Sequence, residues 1–193
     1  MCGRYIANSE DEVMEIREIL KQISMRFVLP KTAEAALSEM FPTNQVMLIN
    51  KSESVLAKWG IEKWDNKGVI INAKSETYEQ SRFFGSFADN RCIIPAHGYY
   101  EWHNTASRSL THKKKIKYAF TSGERHGIFM AGVYNKQGEF AIITKPAEPK
   151  IRFIHDRMPL IIHAEQAADW LNGKLSVRGL CEVNSGITWK ETG

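Results

Sequence analysis

Ile128-Phe129-Met130-Ala131-Gly132-Val133-Tyr134-Asn135-Lys136-Gln137-Gly138-Glu139-Phe140-Ala141-Ile142-Ile143-Thr144 is the stretch on which the fold turns. It contains two short runs rich in β-branched and aromatic residues, Ile128–Tyr134 and Phe140–Thr144, and Gln137-Gly138 between them fits a hairpin turn. Outward from it the same character recurs in Gln45–Asn50, Ser54–Trp59, Cys92–Pro95, Tyr99–His103 and Tyr118–Thr121, with Ser122-Gly123-Glu124 fitting another turn. Helical signals are fewer. Ser9-Glu10-Asp11-Glu12 reads as a capping box, and Val13, Ile16, Ile19, Leu20 and Ile23 follow at helical spacing. A second helix is expected over Ala33–Met40 and a third over Glu165–Leu171, ended by Asn172-Gly173. There is no internal repeat, low-complexity segment or linker. The pattern predicts one α+β domain over residues 1–193, with a mainly antiparallel sheet, curled or barrel-like, and peripheral helices.

The bulk properties narrow the function classes. A chain of 193 residues, 43% hydrophobic and 25% charged, is ordinary for one well-buried globular domain. No apolar run approaches the roughly 18 residues that span a bilayer. The acidic stretch Ser9–Glu12 comes too early for a secretory signal, so a cytoplasmic protein with no membrane partner is expected. The net charge of +4 is compatible with a nucleic-acid partner. The cations are clustered: Arg108, Lys113, Lys114, Lys115 and Lys117 form one group, and Lys145, Lys150, Arg152 and Arg157 another. Lys113–Lys115 reads equally as a solvated hairpin tip. Three cysteines, with no C-x-x-C pair, suggest neither a disulfide framework nor a zinc site, so no metal or cofactor is expected. Cys92, in an apolar run, reads as a buried small hydrophobe, and Cys181 similarly.

Cys2 is different because of its position. Once Met1 is removed, Cys2 carries a free α-amine, of reference pKa ~7.7–8.0, and a thiol near ~8.5. Together they form a 1,2-aminothiol. Its special partner is an aldehyde: the amine forms a Schiff base and the thiolate closes a five-membered thiazolidine. An internal cysteine cannot do this, since its amine is tied up in an amide. The alternative is a small residue at a frayed terminus. Gly3 and Arg4 add a flexible neighbour and a cation that could lower the thiol pKa or hold a phosphate.

Further segments stand out: Ile71-Asn72-Ala73-Lys74-Ser75-Glu76-Thr77, Pro95-Ala96-His97-Gly98-Tyr99-Tyr100-Glu101-Trp102 and Ile154-His155-Asp156-Arg157-Met158-Pro159. With Met1-Cys2-Gly3-Arg4, Phe41-Pro42-Thr43, Trp59-Gly60-Ile61-Glu62-Lys63-Trp64 and Ala131-Gly132-Val133-Tyr134, they make the chain resemble the SRAP family of SOS-response-associated peptidases, or abasic-site-processing proteins, over nearly its whole length. The resemblance implies the SRAP fold and covalent capture of an abasic site in single-stranded DNA by a protein acting as a monomer. It implies Cys2 as nucleophile, Asn72 orienting the sugar, Glu101 as general acid/base near the amine, and His155 in ring opening and proton transfer. It further implies phosphate contacts from Arg4, Lys74, Arg82, Thr144 and Arg157, and packing of Pro42, Trp59 and Trp102 against bases or sugar. A strand-incising lyase side reaction and self-removal of the residue before Cys2 belong to the same expectation.

The residue chemistry is consistent with these roles. A closed abasic deoxyribose must open to its aldehyde, which needs a proton donor and acceptor of the histidine kind. Loss of water from a carbinolamine needs an acid, and apolar neighbours raise the pKa of a carboxyl such as Glu101. Cations and aromatic platforms together are how single strands are gripped. Taken singly, Asn72 could cap a turn, Glu101 could face solvent, His155 could be structural, and Trp59 and Trp64 could be core. Lys74 stands where the family often has Arg and offers a point charge without a bidentate fork. Glu62-Lys63 replaces an apolar-Pro pair, and Phe41 a small residue. A cysteine peptidase acting on other proteins and a non-covalent single-strand-binding module are the competing readings.

Overall fold

The computed structural model describes residues 2–23, 38–104 and 115–192. In chain order the strands are β1 Tyr5–Ile6, β2 Glu39–Met40, β3 Gln45–Ile49, β4 Ser54–Trp59, β5 Ile61–Glu62, β6 Val69–Ile70, β7 Asn72–Lys74, β8 Arg91–Ala96, β9 Gly98–Asn104, β10 Lys115–Thr121, β11 Ile128–Tyr134, β12 Glu139–Pro146, β13 Arg157–Pro159, β14 Ile161–Ile162 and β15 Thr188–Glu191. The α-helices are α1 Glu10–Gln22, α2 Ala167–Leu171 and α3 Val177–Glu182.

Five strands close on themselves. β12 pairs with β4 in parallel, β4 with β3, β3 with β8, β8 with β11, and β11 back to β12, all antiparallel after the first. The result is a single domain built on a five-stranded barrel. The opening stretch supplies two adjacent staves, joined by a turn in which Gly138 takes φ 74° and Asn135 receives the chain. β12 also carries β7 in parallel and β13 antiparallel, so four partner strands, β4, β7, β11 and β13, meet at this one element. A second sheet, β15-β10-β9-β1-β2, is antiparallel throughout and brings the start of the chain beside β9.

β11 and β12 are buried on both faces, which is why their sequence runs apolar without alternation. One face lines a core with Trp59, Ile94, Met130, Phe140 and Ile142, and the other meets α1 and α2 through Ile16, Leu20 and Trp170. Gly132 allows this density: a Cβ there would lie 2.5 Å from Ile94 Cδ1 and 2.9 Å from Cys92 Sγ. The capping box of α1 is formed, with Ser9 Oγ accepting from the Glu12 N–H and Glu12 accepting from the Ser9 N–H.

Sequence expectations fail at two helices. Glu39 and Met40 are a strand, paired to Ile6 and Tyr5, because the β1 edge needs a ladder partner; the rest of the expected Ala33–Met40 helix lies outside the described residues. The expected Glu165–Leu171 helix is split into a 3-10 turn, Ala164–Gln166, and α2. Arg108, Lys113 and Lys114 also fall outside the described residues, while Lys115 opens β10. No helix among the described residues is long and apolar enough to cross a membrane.

Candidate active site

Cys2 is not at a frayed end. It is 0% exposed and packs in the core with Tyr5, Tyr99, Ile154 and Met158. Two contacts fix it. Asn72, at the start of β7, donates from Nδ2 to the Cys2 carbonyl at 2.9 Å, and the Cys2 thiol lies 3.9 Å from the Arg4 carbonyl. The parallel pairing of β7 on β12, Asn72 opposite Ile142, aims the amide inward. The other end of that amide, Oδ1, is buried without a partner among the described residues.

Glu101 arrives from β9. Tyr5 pairs with Tyr99, and the Tyr100 N–H donates to the Arg4 carbonyl at 2.9 Å. Continuing that register brings Gly3 alongside Glu101. The Glu101 side chain is 4% exposed, so it faces the interior. Burial raises its carboxyl pKa, opposed in part by the charge of His155. Burial also pushes the Cys2 thiol far above the usual range, and the Glu101 charge pushes it further. This corrects the idea that Arg4 activates the thiol: the Arg4 guanidinium is committed elsewhere, and desolvation dominates.

His155 follows a turn that ends at Ile154. Its Nδ1 lies 3.0 Å from the Arg157 N–H and 2.9 Å from Asp156 Oδ1. The first contact wants a lone pair and the second a proton, so the neutral and charged rings each have a partner ready.

Around this centre the cations and aromatics sort into exposed and buried groups. Arg4 pairs with Glu39 at 3.0 Å and lies 4.5 Å above the Phe41 ring and 4.8 Å above the Trp102 ring. Lys117 also reaches Glu39 and sits 3.7 Å above Tyr100. Pro42 is half-buried beside the exposed Phe41, in a turn where Thr43 is held at φ 76°, a costly conformation for a β-branched residue. Lys74 and Arg82 are exposed. Arg157 pairs with both carboxylate oxygens of Glu76 and with Thr144 Oγ1, at 3.2 Å from the latter. The Arg157 guanidinium beside it holds the Glu76 carboxyl down at about 2.

Two expected contacts need correction. Trp59 is 0% exposed, tilted against Tyr5 at 5.1 Å, with its indole N–H donating to the Ile71 carbonyl. Its ring cannot receive a base; instead its backbone carbonyl accepts from Thr43 N–H and supports the Phe41–Thr43 turn from beneath. Thr144 is fully buried, its hydroxyl donating to the Ala73 carbonyl, so it reaches outward only through Arg157. Trp64, by contrast, is 71% exposed, at the tip of the β5–β6 hairpin and 5.5 Å from Phe83. The sequence reading gave the base contact to Trp59 and none to Trp64, because local pattern does not report which of the two faces out. Glu39 was hidden inside an expected helix. Among the described residues no group of three or more His, Cys, Asp or Glu side chains could hold a metal ion.

Barrel and site together define a protein that keeps Cys2 in its interior, beside a buried carboxyl. The chain belongs to the SOS response associated peptidase (SRAP) family, whose model matches residues 1–185. It is 32% identical over 193 residues to the abasic site processing protein YoqW of Bacillus subtilis, covering 90% of this chain and 81% of that one. It is 26% identical to the abasic site processing protein YedK of Escherichia coli, over 95% of this chain and 85% of that one. The crystal structure of a protein from Bordetella bronchiseptica shares the fold with a TM-score of 0.74, at 22% identity and full coverage of both chains.

Proposed function

We propose that this protein processes abasic sites in single-stranded DNA by linking them covalently to Cys2. One observation carries the reading: the second residue of the chain is wholly buried and held by Asn72, with the buried carboxyl of Glu101 alongside. A residue that only followed the initiator would not be fixed this way.

The chemistry follows from the groups present. With Met1 removed, the Cys2 amine attacks C1′ of the ring-opened deoxyribose. Glu101, whose carboxyl pKa is raised by burial, gives its proton to the carbinolamine oxygen, which leaves as water. The thiol sulfur then bonds to C1′ and its proton ends on nitrogen, giving a thiazolidine. His155, with a partner for either protonation state, serves the opening of the sugar ring. Asn72 holds the reacting residue through the Cys2 carbonyl. Elimination from the Schiff base would give the strand-incising lyase reaction, and the peptidase activity in the family's name is read as self-removal of Met1.

The strand would run over the cation–aromatic surface. Arg4, Lys74, Arg82 and Arg157 supply charge, while Phe41, Pro42, Trp64 and Trp102 supply flat contacts. Arg157 must exchange Glu76 for a phosphate to take part. The test is incubation of the mature protein with an abasic single-stranded oligonucleotide, followed by a denaturing gel. A slowed band with the native chain that is absent with Cys2→Ala is expected. An equal band with both would overturn the reading.

A further inference from the structure

Tyr99 carries a polar atom that no described residue uses. Its ring is stacked on Phe120 at 4.7 Å and 7°, fully buried in the core that contains Cys2. Its hydroxyl is buried with no hydrogen-bond partner among the described residues. Such an orphan is costly to bury, and a phenylalanine would fill the same place without that cost. Native interiors keep few of these groups, and those they keep call for a use.

Position suggests the use. Tyr99 and Glu101 stand two residues apart on β9, so both project from the same side of the strand. Tyr5, directly across in the ladder, packs in the same cluster with Cys2. The second orphan near Cys2 is the Asn72 oxygen, an acceptor. Burial raises the Tyr99 pKa and the charges of Cys2, Glu101 and Glu148 add to it, so the hydroxyl keeps its proton and stays a donor. A donor and an acceptor thus stand idle beside the reacting residue.

We propose that Tyr99 is a further substrate-contacting residue, its hydroxyl hydrogen-bonding an oxygen of the open-chain sugar held at Cys2 and so favouring hydroxylated aldehydes over plain ones. This rests on the aldehyde chemistry assigned to Cys2 above. No bond to Tyr99 forms or breaks; it orients the aldehyde while the amine and thiol add and one water leaves.

The variant is Tyr99→Phe, in mature protein whose loss of Met1 is verified by intact mass. Three quantities are measured: thermal midpoint, rate of cross-linking to an abasic single-stranded oligonucleotide, and rates of adduct formation with free 2-deoxyribose and with propanal. The adduct is read by mass as the aldehyde less one water. The variant is expected to be at least as heat-stable as the native chain and to cross-link about tenfold more slowly, the effect of losing one hydrogen bond. Its deoxyribose-to-propanal rate ratio should fall by a similar factor. An unchanged ratio overturns the proposal, as does a lower thermal midpoint, which would show that the hydroxyl has a structural partner. If the native protein reacts with free deoxyribose but not with abasic DNA, the functional reading fails while the ratio still decides Tyr99. If it reacts with neither aldehyde, both fall.

Discussion

At the scale of single residues, burial decides roles that residue type leaves open. Trp59 and Trp64 lie five positions apart in one motif, and one is inside while the other is 71% exposed. Trp59→Ala should lower stability by about 3–5 kcal/mol through the cavity it leaves, read as a fall in the thermal midpoint. Trp64→Ala should leave the midpoint near its native value and weaken binding of a single-stranded oligonucleotide by ~1–3 kcal/mol, the worth of one stacked base. Reversal of the two effects would refute the assignment. The Glu76–Arg157 pair adds a pH dependence. The folded-state pKa of Glu76 is depressed, to about 2, below its unfolded value. Its contribution is therefore complete above the ordinary carboxylate range and is lost as pH falls toward 2. Because the Glu76 side chain is nearly half exposed, the stability at stake is small, and the useful measurement is an NMR titration of its carboxyl. Titration at an ordinary carboxylate pKa would show that Arg157 is not held by it.

At the scale of elements, the barrel depends on close approach between strands. β8, β11 and β12 meet at Gly132, where a methyl group would press on Ile94, Cys92 and the Ala141 carbonyl, the last at 3.0 Å. Gly132→Ala should therefore cost about 1–3 kcal/mol by overpacking, despite alanine's smaller chain entropy. Denaturant unfolding measures it, and a midpoint at or above the native one would mean that the barrel can widen. The same elements show what local pattern conveys. Ser54–Trp59 and Ile128–Tyr134 match their strands end to end, because β-branched and aromatic runs bounded by turns have one local solution. The capping box of α1 is similarly local. β1, β2, β5, β6, β7, β13 and β14 span two or three residues each and exist through their ladder partners, so no run of sequence announces them. Glu39-Met40 reads as helix for the same reason.

At the scale of the whole molecule, the candidate site was legible as a set of residues but not as a geometry. Cys2, Asn72, Glu101 and His155 come from the chain start, β7, β9 and the turn before β13, and only closure of the two sheets brings the first three together. Position in the chain marked Cys2 as chemically distinct. That Glu101 faces inward and that Thr144 is sealed beneath Arg157 are properties of the packed sheets alone. Tyr99 stood in a quoted motif without a role, because an unpartnered hydroxyl exists only once its surroundings are built.

The burial of Cys2 also sets a clock. Its core cluster includes residues as far along as Ile187, so the surroundings of Cys2 are unfinished until residue 187 has been made. At ~5–20 residues per second, synthesis of the chain takes roughly 10–40 s. During that interval Cys2 lies open on the growing chain; once the barrel closes it is wholly buried. A large enzyme that must grip Cys2 has its access in that interval, before the core forms around the residue.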